Sequence, residues 1–207
     1  MKIEAIEQTR SPQGKLRLRF EDGTSLMVYP ALLVDLGLYT GMEISPAAME
    51  SLKEQNGALS AKERATRILS YGVVSGRELE HRLRQKGESE EHAQEAVQWL
   101  QELRLLDDRQ AAEQIVRSGL SKGYGPARIR QMLYEKRIPK ELWQEVLADL
   151  PEADEAIDHF LNKRFRGKTP DRAECKRATD ALLRRGHSWS DIRRALERYA
   201  PEEEFEE

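Results

Sequence analysis

Three stretches of this chain share one apolar rhythm, and that repetition limits the possible folds more than any other feature. With SGRELEHRLRQKG (75–87), GPARIRQMLYEKR (125–137) and AECKRATDALLRRG (173–186) aligned, Leu79 and Leu83 fall on Ile129 and Leu133, and both pairs fall on Ala178 and Leu182. The period is 50 residues and then 49. Apolar residues four apart form one stripe of a helix. A second helical pattern follows each stripe at a common offset, with Ala93 and Val97, Trp143 and Leu147, and Ile192 and Leu196 in equivalent places. Another precedes each: AKERATRILSY, RQAAEQIVRSG and EAIDHFLNKRF. One three-helix unit of this size buries little surface, whereas stacked neighbours extend a shared core. The pattern predicts a mainly α chain of three tandem three-helix repeats, 60–106, 107–150 and 151–199, forming an elongated, curved array.

The first 55 residues follow a different period. In KLRLRF, Leu16, Leu18 and Phe20 alternate with Lys15, Arg17 and Arg19, as in a strand with one buried face. Asp22-Gly23 offers a hairpin turn, SLMVYP a returning strand ending at Pro30, and KIEAI a third strand. ALLVDLGL suits one or two helical turns. A small N-terminal β extension is expected over 1–55, and an acidic tail over 200–207.

Punctuation agrees with the repeat register. Ser75 and Ser89 can cap helices, and Gly87 and Gly186 stand where a left-handed residue ends one. Arg137 occupies the matching place in the second repeat. It must either take a left-handed backbone, at roughly 1 kcal/mol, or end its helix differently. SKGYGPARIRQML (121–133) could be a phosphate cradle, but it lacks the spacing of a Walker or dinucleotide loop, and helix precedes it. It reads better as a helix start, with Gly125 as cap and Pro126 in first position. Asp107 and Asp108, a candidate metal or acid/base pair, read better as a cap at a repeat boundary.

Chemistry-bearing clusters are not evident. Cys175 is alone, and His81, His92, His159 and His187 are not at ligand spacing, so neither a disulfide nor a zinc site is expected. Nothing resembles a signal peptide or a membrane span, and a cytoplasmic monomer without cofactors is expected. No nucleophile, metal or nucleotide constellation suggests an enzyme.

Net charge is −3, yet from Lys163 to Arg198 twelve basic residues face five acidic ones. A polyanionic partner therefore fits the C-terminal half. Lys86, Lys136 and Arg185 share the end of each middle helix, where the helix dipole alone favours a cation. Arg128, Arg130, Lys176, Arg177, Arg193 and Arg194 flank buried positions in pairs and, on a common face, would suit phosphates or an acidic protein groove. Lys122, Arg184 and Arg185 extend that set. Tyr124 is either a stacking platform or a lid over its helix, and Trp143 is core by register.

The segment LRLLDDRQAAEQIVRSGLSKGYGPARIRQML (103–133) resembles the central signature of the RecX family, in which a Leu-Asp-Asp helix start leads to a Lys/Arg-Gly-hydrophobic-Gly turn and a basic helix. ELEHRLRQKG, LLRRGHSWSDIRRAL and the triple repeat are also similar to RecX, so the resemblance covers about 60–199. Arg137 departs from the family's frequent glycine. The resemblance implies a non-catalytic regulator that lies along the RecA nucleoprotein filament and restrains its recombinase, ATPase and repressor-cleavage activities in repair and the SOS response. The residues alone leave open a different class, a stand-alone DNA-binding module acting without RecA.

Overall fold

Residues 1–11 and 13–199 are described by the structure, a computed structural model; the expected acidic tail lies outside the described residues. The chain forms two compact units, Met1–Tyr71 with Leu79–Leu105, and Gly72–Glu78 with the chain from Leu106 onward.

Alternation sets up the first unit. β1 (Ile3–Gln8), β2 (Leu16–Phe20) and β3 (Ser25–Val28) form an antiparallel sheet in that order, with Ile6 opposite Leu18 and Leu18 opposite Leu26. Leu18 and Phe20 are buried while Arg17 and Arg19 are exposed, as the period of two requires. The β2–β3 loop is four residues long: the Phe20 N–H donates to the Thr24 carbonyl at 2.9 Å, Gly23 is left-handed at φ 80°, and the Asp22 carboxylate accepts from the Thr24 N–H.

Helix begins earlier than the repeat suggests. After α1 (Pro30–Asp35), the 25-residue α2 (Pro46–Ser70) runs straight through the expected join at 55–60, starting from Ser45 as side-chain cap and Pro46 in the first turn. Met49 and Leu52 close the core under the sheet with Ile3, Leu18, Val28, Leu32 and Ile44. Farther along, Ala61, Ala65 and Ile68 are buried as well, and α2 packs on α4 (Glu90–Glu102). The division between the two units falls inside α3 (Gly76–Gln85).

The second unit holds α5 (Asp108–Ser121), α6 (Pro126–Glu135), a 3-10 turn (Lys140–Leu142) running into α7 (Trp143–Ala148), then α8 (Ala153–Phe165), α9 (Arg172–Arg184) and α10 (Trp189–Leu196). One cluster joins Ala111, Ala112, Ile115, Leu133 and Ile138, and another joins Ile157, Leu161, Phe165, Cys175, Ala178, Leu182, Ile192, Ala195 and Leu196. All six aligned stripe residues, Leu79, Leu83, Ile129, Leu133, Ala178 and Leu182, are fully buried. Trp143 is only half-buried, against the core expectation: α7 is short, and the indole N–H donates to the Ile138 carbonyl at 3.1 Å at the edge of its cluster.

Helix ends follow the punctuation. Ser75 and Ser89 accept from the Glu78 and His92 amides, and Asp171 with Glu174 forms a reciprocal capping box. Gly87 and Gly186 are left-handed, and Arg137 takes the same conformation at φ 54°. Arg104 and Arg166 do so too, at φ 56° and 52°. Neither was marked by composition, because only an observed helix end shows which residue must turn.

Candidate partner-binding face

The glycine turn between α5 and α6 is where two repeats of the second unit meet. Lys122 closes α5, Gly123 turns left-handed, and the Tyr124 N–H returns to the Gly119 carbonyl at 3.0 Å. Gly125 then caps α6 with Pro126 in its first turn. The α6 amides that a phosphate cradle would need are already engaged: the Gly125 N–H donates to the Arg185 carbonyl at 2.8 Å and the Ala127 N–H to the Gly186 carbonyl at 3.2 Å. The carbonyl end of α9 thus sits on the amide end of α6, joining opposite ends of two helix dipoles.

Only glycines allow that approach. A Cβ on Gly125 would stand 2.4 Å from the Gly186 carbonyl oxygen, and one on Gly186 would stand 2.3 Å from the Arg128 nitrogen. His187 completes the joint. Buried in the α9–α10 turn, its Nε2 lies 3.1 Å from the Gly123 carbonyl, which requires the N–H on that nitrogen, and its Nδ1 is buried without a partner. Burial holds its pKa below the usual histidine value, outweighing the carbonyl and Asp191, which favour the charged form. Sequence alone showed only a lone turn histidine, since its partner lies 64 positions away.

Around this joint lie Lys122, Tyr124, Arg128, Arg184 and Arg185. Tyr124 is half-buried. The Arg185 guanidinium lies 4.6 Å from the centre of the Phe160 ring, and Arg128 reaches Glu135 at 3.3 Å. Lys122 and Arg184 are exposed and carry no ion pair among the described residues. Two turns back along α9, about 10 Å away, Arg177 shares Arg184's face, with Lys176 beside it; both are exposed and also unpaired among the described residues.

The remaining candidates do not join one face. Arg128 and Arg130 are two positions apart, roughly 200° around the helix, so they flank Ile129 on opposite sides. Exposed Arg130 instead shares a flank with Tyr134, which is 69% exposed beside an open cleft of about 350 Å³ also lined by Arg77, Arg137, Lys140 and Trp143. Spacing alone could have revealed that flank, because Arg130 and Tyr134 are four apart. Arg193 pairs with Glu197 at 3.2 Å, and Arg194 holds Asp154 on α8 at 2.9 Å. Arg194 thus fastens α10 to α8, while Arg193 is held by the capping residue of its own helix.

Asp107 and Asp108 act as caps. Asp107 accepts from the Arg109 and Gln110 amides, and Asp108 accepts from the Gly76 N–H at 2.7 Å, the first residue of α3. Among the described residues no three His, Cys, Asp or Glu side chains gather to hold a metal, and no helix is long and apolar enough to cross a membrane.

Residues 107–147 match the family model of the RecX second three-helix domain, and residues 152–196 match that of the third. The chain is 34% identical over 146 residues to the "Regulatory protein RecX" of Vibrio parahaemolyticus serotype O3:K6, an alignment covering 70% of this chain and 94% of that protein. The "Regulatory protein RecX" of Oceanobacillus iheyensis is 29% identical over 153 residues, 72% of this chain and 56% of its own length. A solved structure described as "Crystal structure of regulatory protein RecX" superposes with a TM-score of 0.64 at 22% identity, covering 95% of this chain and 98% of that one. At that identity the likeness concerns the fold.

Proposed function

The chain belongs to the RecX family of regulatory proteins, and from that premise we propose that it binds the RecA nucleoprotein filament and restrains its recombinase, ATPase and repressor-cleavage activities. The observation that carries this reading is the set of exposed cations unpaired among the described residues, Lys122, Lys176, Arg177 and Arg184, held on helices that match the second and third RecX domains. Regulation of this kind needs a firm surface more than a reactive group. The α6–α9 joint supports it by fixing the helices that carry the cations. Docking on an acidic filament groove would then brace the filament in a state that turns over ATP slowly.

The test is ATP hydrolysis by the cognate RecA on single-stranded DNA, with this protein added at well below one copy per RecA. Inhibition is expected at low ratio, and its absence with a folded sample refutes the reading. Charge reversal should target the free cations. Lys176→Glu, Arg177→Glu and Arg184→Glu together are expected to abolish inhibition while helical content stays unchanged, whereas Arg194→Glu would set a carboxylate against Asp154 and confuse docking with stability.

A further inference from the structure

The first unit carries a second cationic surface, absent from the candidates drawn from sequence. Where α2 and α3 end, an open cleft of about 450 Å³ is lined by Arg64, Arg67, Ile68, Tyr71, Arg82 and Lys86. Four of the six are cations and none is acidic. Tyr71, the residue closing α2, is 84% exposed, while Ile68 is buried at the floor. Lys86 is exposed and has no ion pair among the described residues. The Arg64 guanidinium is locked from behind by Glu88 at 3.1 Å and by the Lys86 carbonyl, and Arg67 is steadied by Glu63 one turn earlier.

We propose that this cleft binds single-stranded nucleic acid, with Arg64, Arg67 and Lys86 meeting successive phosphates and the Tyr71 ring receiving a base. Helix dipoles account for cations near the C-terminal ends of α2 and α3, but not for a tyrosine left almost wholly in water among them. A flat ring bordered by positive charge is what a single strand needs, because every base has a π face and every linkage an anion. The volume lies within the range of ligand clefts, about 300–1,000 Å³. In a duplex the base faces are already stacked. An acidic peptide would use the cations, but its apolar side chains need enclosing walls, and Ile68 is the sole aliphatic lining residue.

This inference does not depend on RecA, and its test omits RecA. A fluorescent oligothymidylate is titrated with the full chain and anisotropy is followed across a salt series. Each phosphate neutralised contributes roughly 0.7 to the log–log salt slope of single-strand binding, so Lys86→Glu should reduce both affinity and slope. Tyr71→Ala should weaken binding by about five- to a hundredfold, the range for loss of one stacked base, while Tyr71→Phe should retain it. Both sites are exposed, so thermal stability serves as the folding control. Wild-type affinity and slope in Tyr71→Ala and Lys86→Glu would overturn the proposal, as would absence of binding at low salt. Polyglutamate that binds in a Lys86-dependent manner while the oligonucleotide does not would assign the cleft to an acidic peptide, which also overturns it. RecA inhibition without oligonucleotide binding refutes only this inference, and the reverse refutes only the filament reading.

Discussion

The glycines at the α6–α9 joint differ from others in what surrounds them. Gly87 and Gly186 are both left-handed, at φ 89° and 85°, and occupy the same place in the first and third repeats. Nothing lies within 4 Å of the position a Gly87 Cβ would take, whereas backbone and Cβ atoms of Arg128 crowd that of Gly186. Gly87→Ala should therefore cost only backbone strain, about 1 kcal/mol. Gly186→Ala adds a collision with main chain that cannot rotate away, and should cost clearly more, with an unfolding midpoint well below that of Gly87→Ala in paired urea titrations. Equal losses would mean that the joint yields freely. Composition made the two glycines look alike, and only the approach of a chain segment nearly 60 positions away distinguishes them.

At the scale of elements, three helices end on a left-handed arginine. Arg104, after α4, is exposed and has no ion pair among the described residues, so Arg104→Gly should raise stability by about 1 kcal/mol as the strain is relieved. Arg137→Gly should gain less, because the Arg137 side chain also reaches Glu78 at 2.9 Å, where the carboxylate is mostly buried. An equal gain at Arg137 would show that this ion pair contributes nothing. Element identity was widely legible from sequence: period two marked β2, and a four-residue stripe marked each middle helix. Lengths were less so. α2 hides its start because residues 46–59 pack under a sheet instead of following the repeat, and α7 is cut short after Pro139 and the 3-10 turn. The basic pairs were legible as residues but not as faces. An ion pair such as Arg194 with Asp154 joins residues 40 apart and removes a cation from the free surface without any local signal.

For the whole molecule, burial of one ionisable group and pairing of another make stability depend on pH in two separate windows. His187 is buried neutral, and its pKa in the folded chain lies below its ordinary value of 6.5 because of burial first, with Arg185 adding to it. The unfolded chain therefore binds the proton more readily, so this contribution is complete above about pH 6.5 and is lost progressively as pH falls below it. Glu63 acts lower down the scale. Burial pushes its carboxyl up, but the Tyr29 hydroxyl at 2.6 Å, Arg67 and Lys15 outweigh this and hold it below 4.5, so its contribution is present above that pH and lost beneath it. Tyr29 is raised by burial and by Glu63, so it stays protonated and donating across both windows. The thermal midpoint should be level above about pH 6.5, decline gently below it, and fall again below about 4.5. His187→Gln keeps a donor for the Gly123 carbonyl but cannot titrate, and should remove the first decline while leaving the second. Tyr29→Phe should shrink the second and leave the first. A wild-type profile level down to pH 5 would show that the α6–α9 joint tolerates an imidazolium, and the unpartnered Nδ1 would then have to reach water.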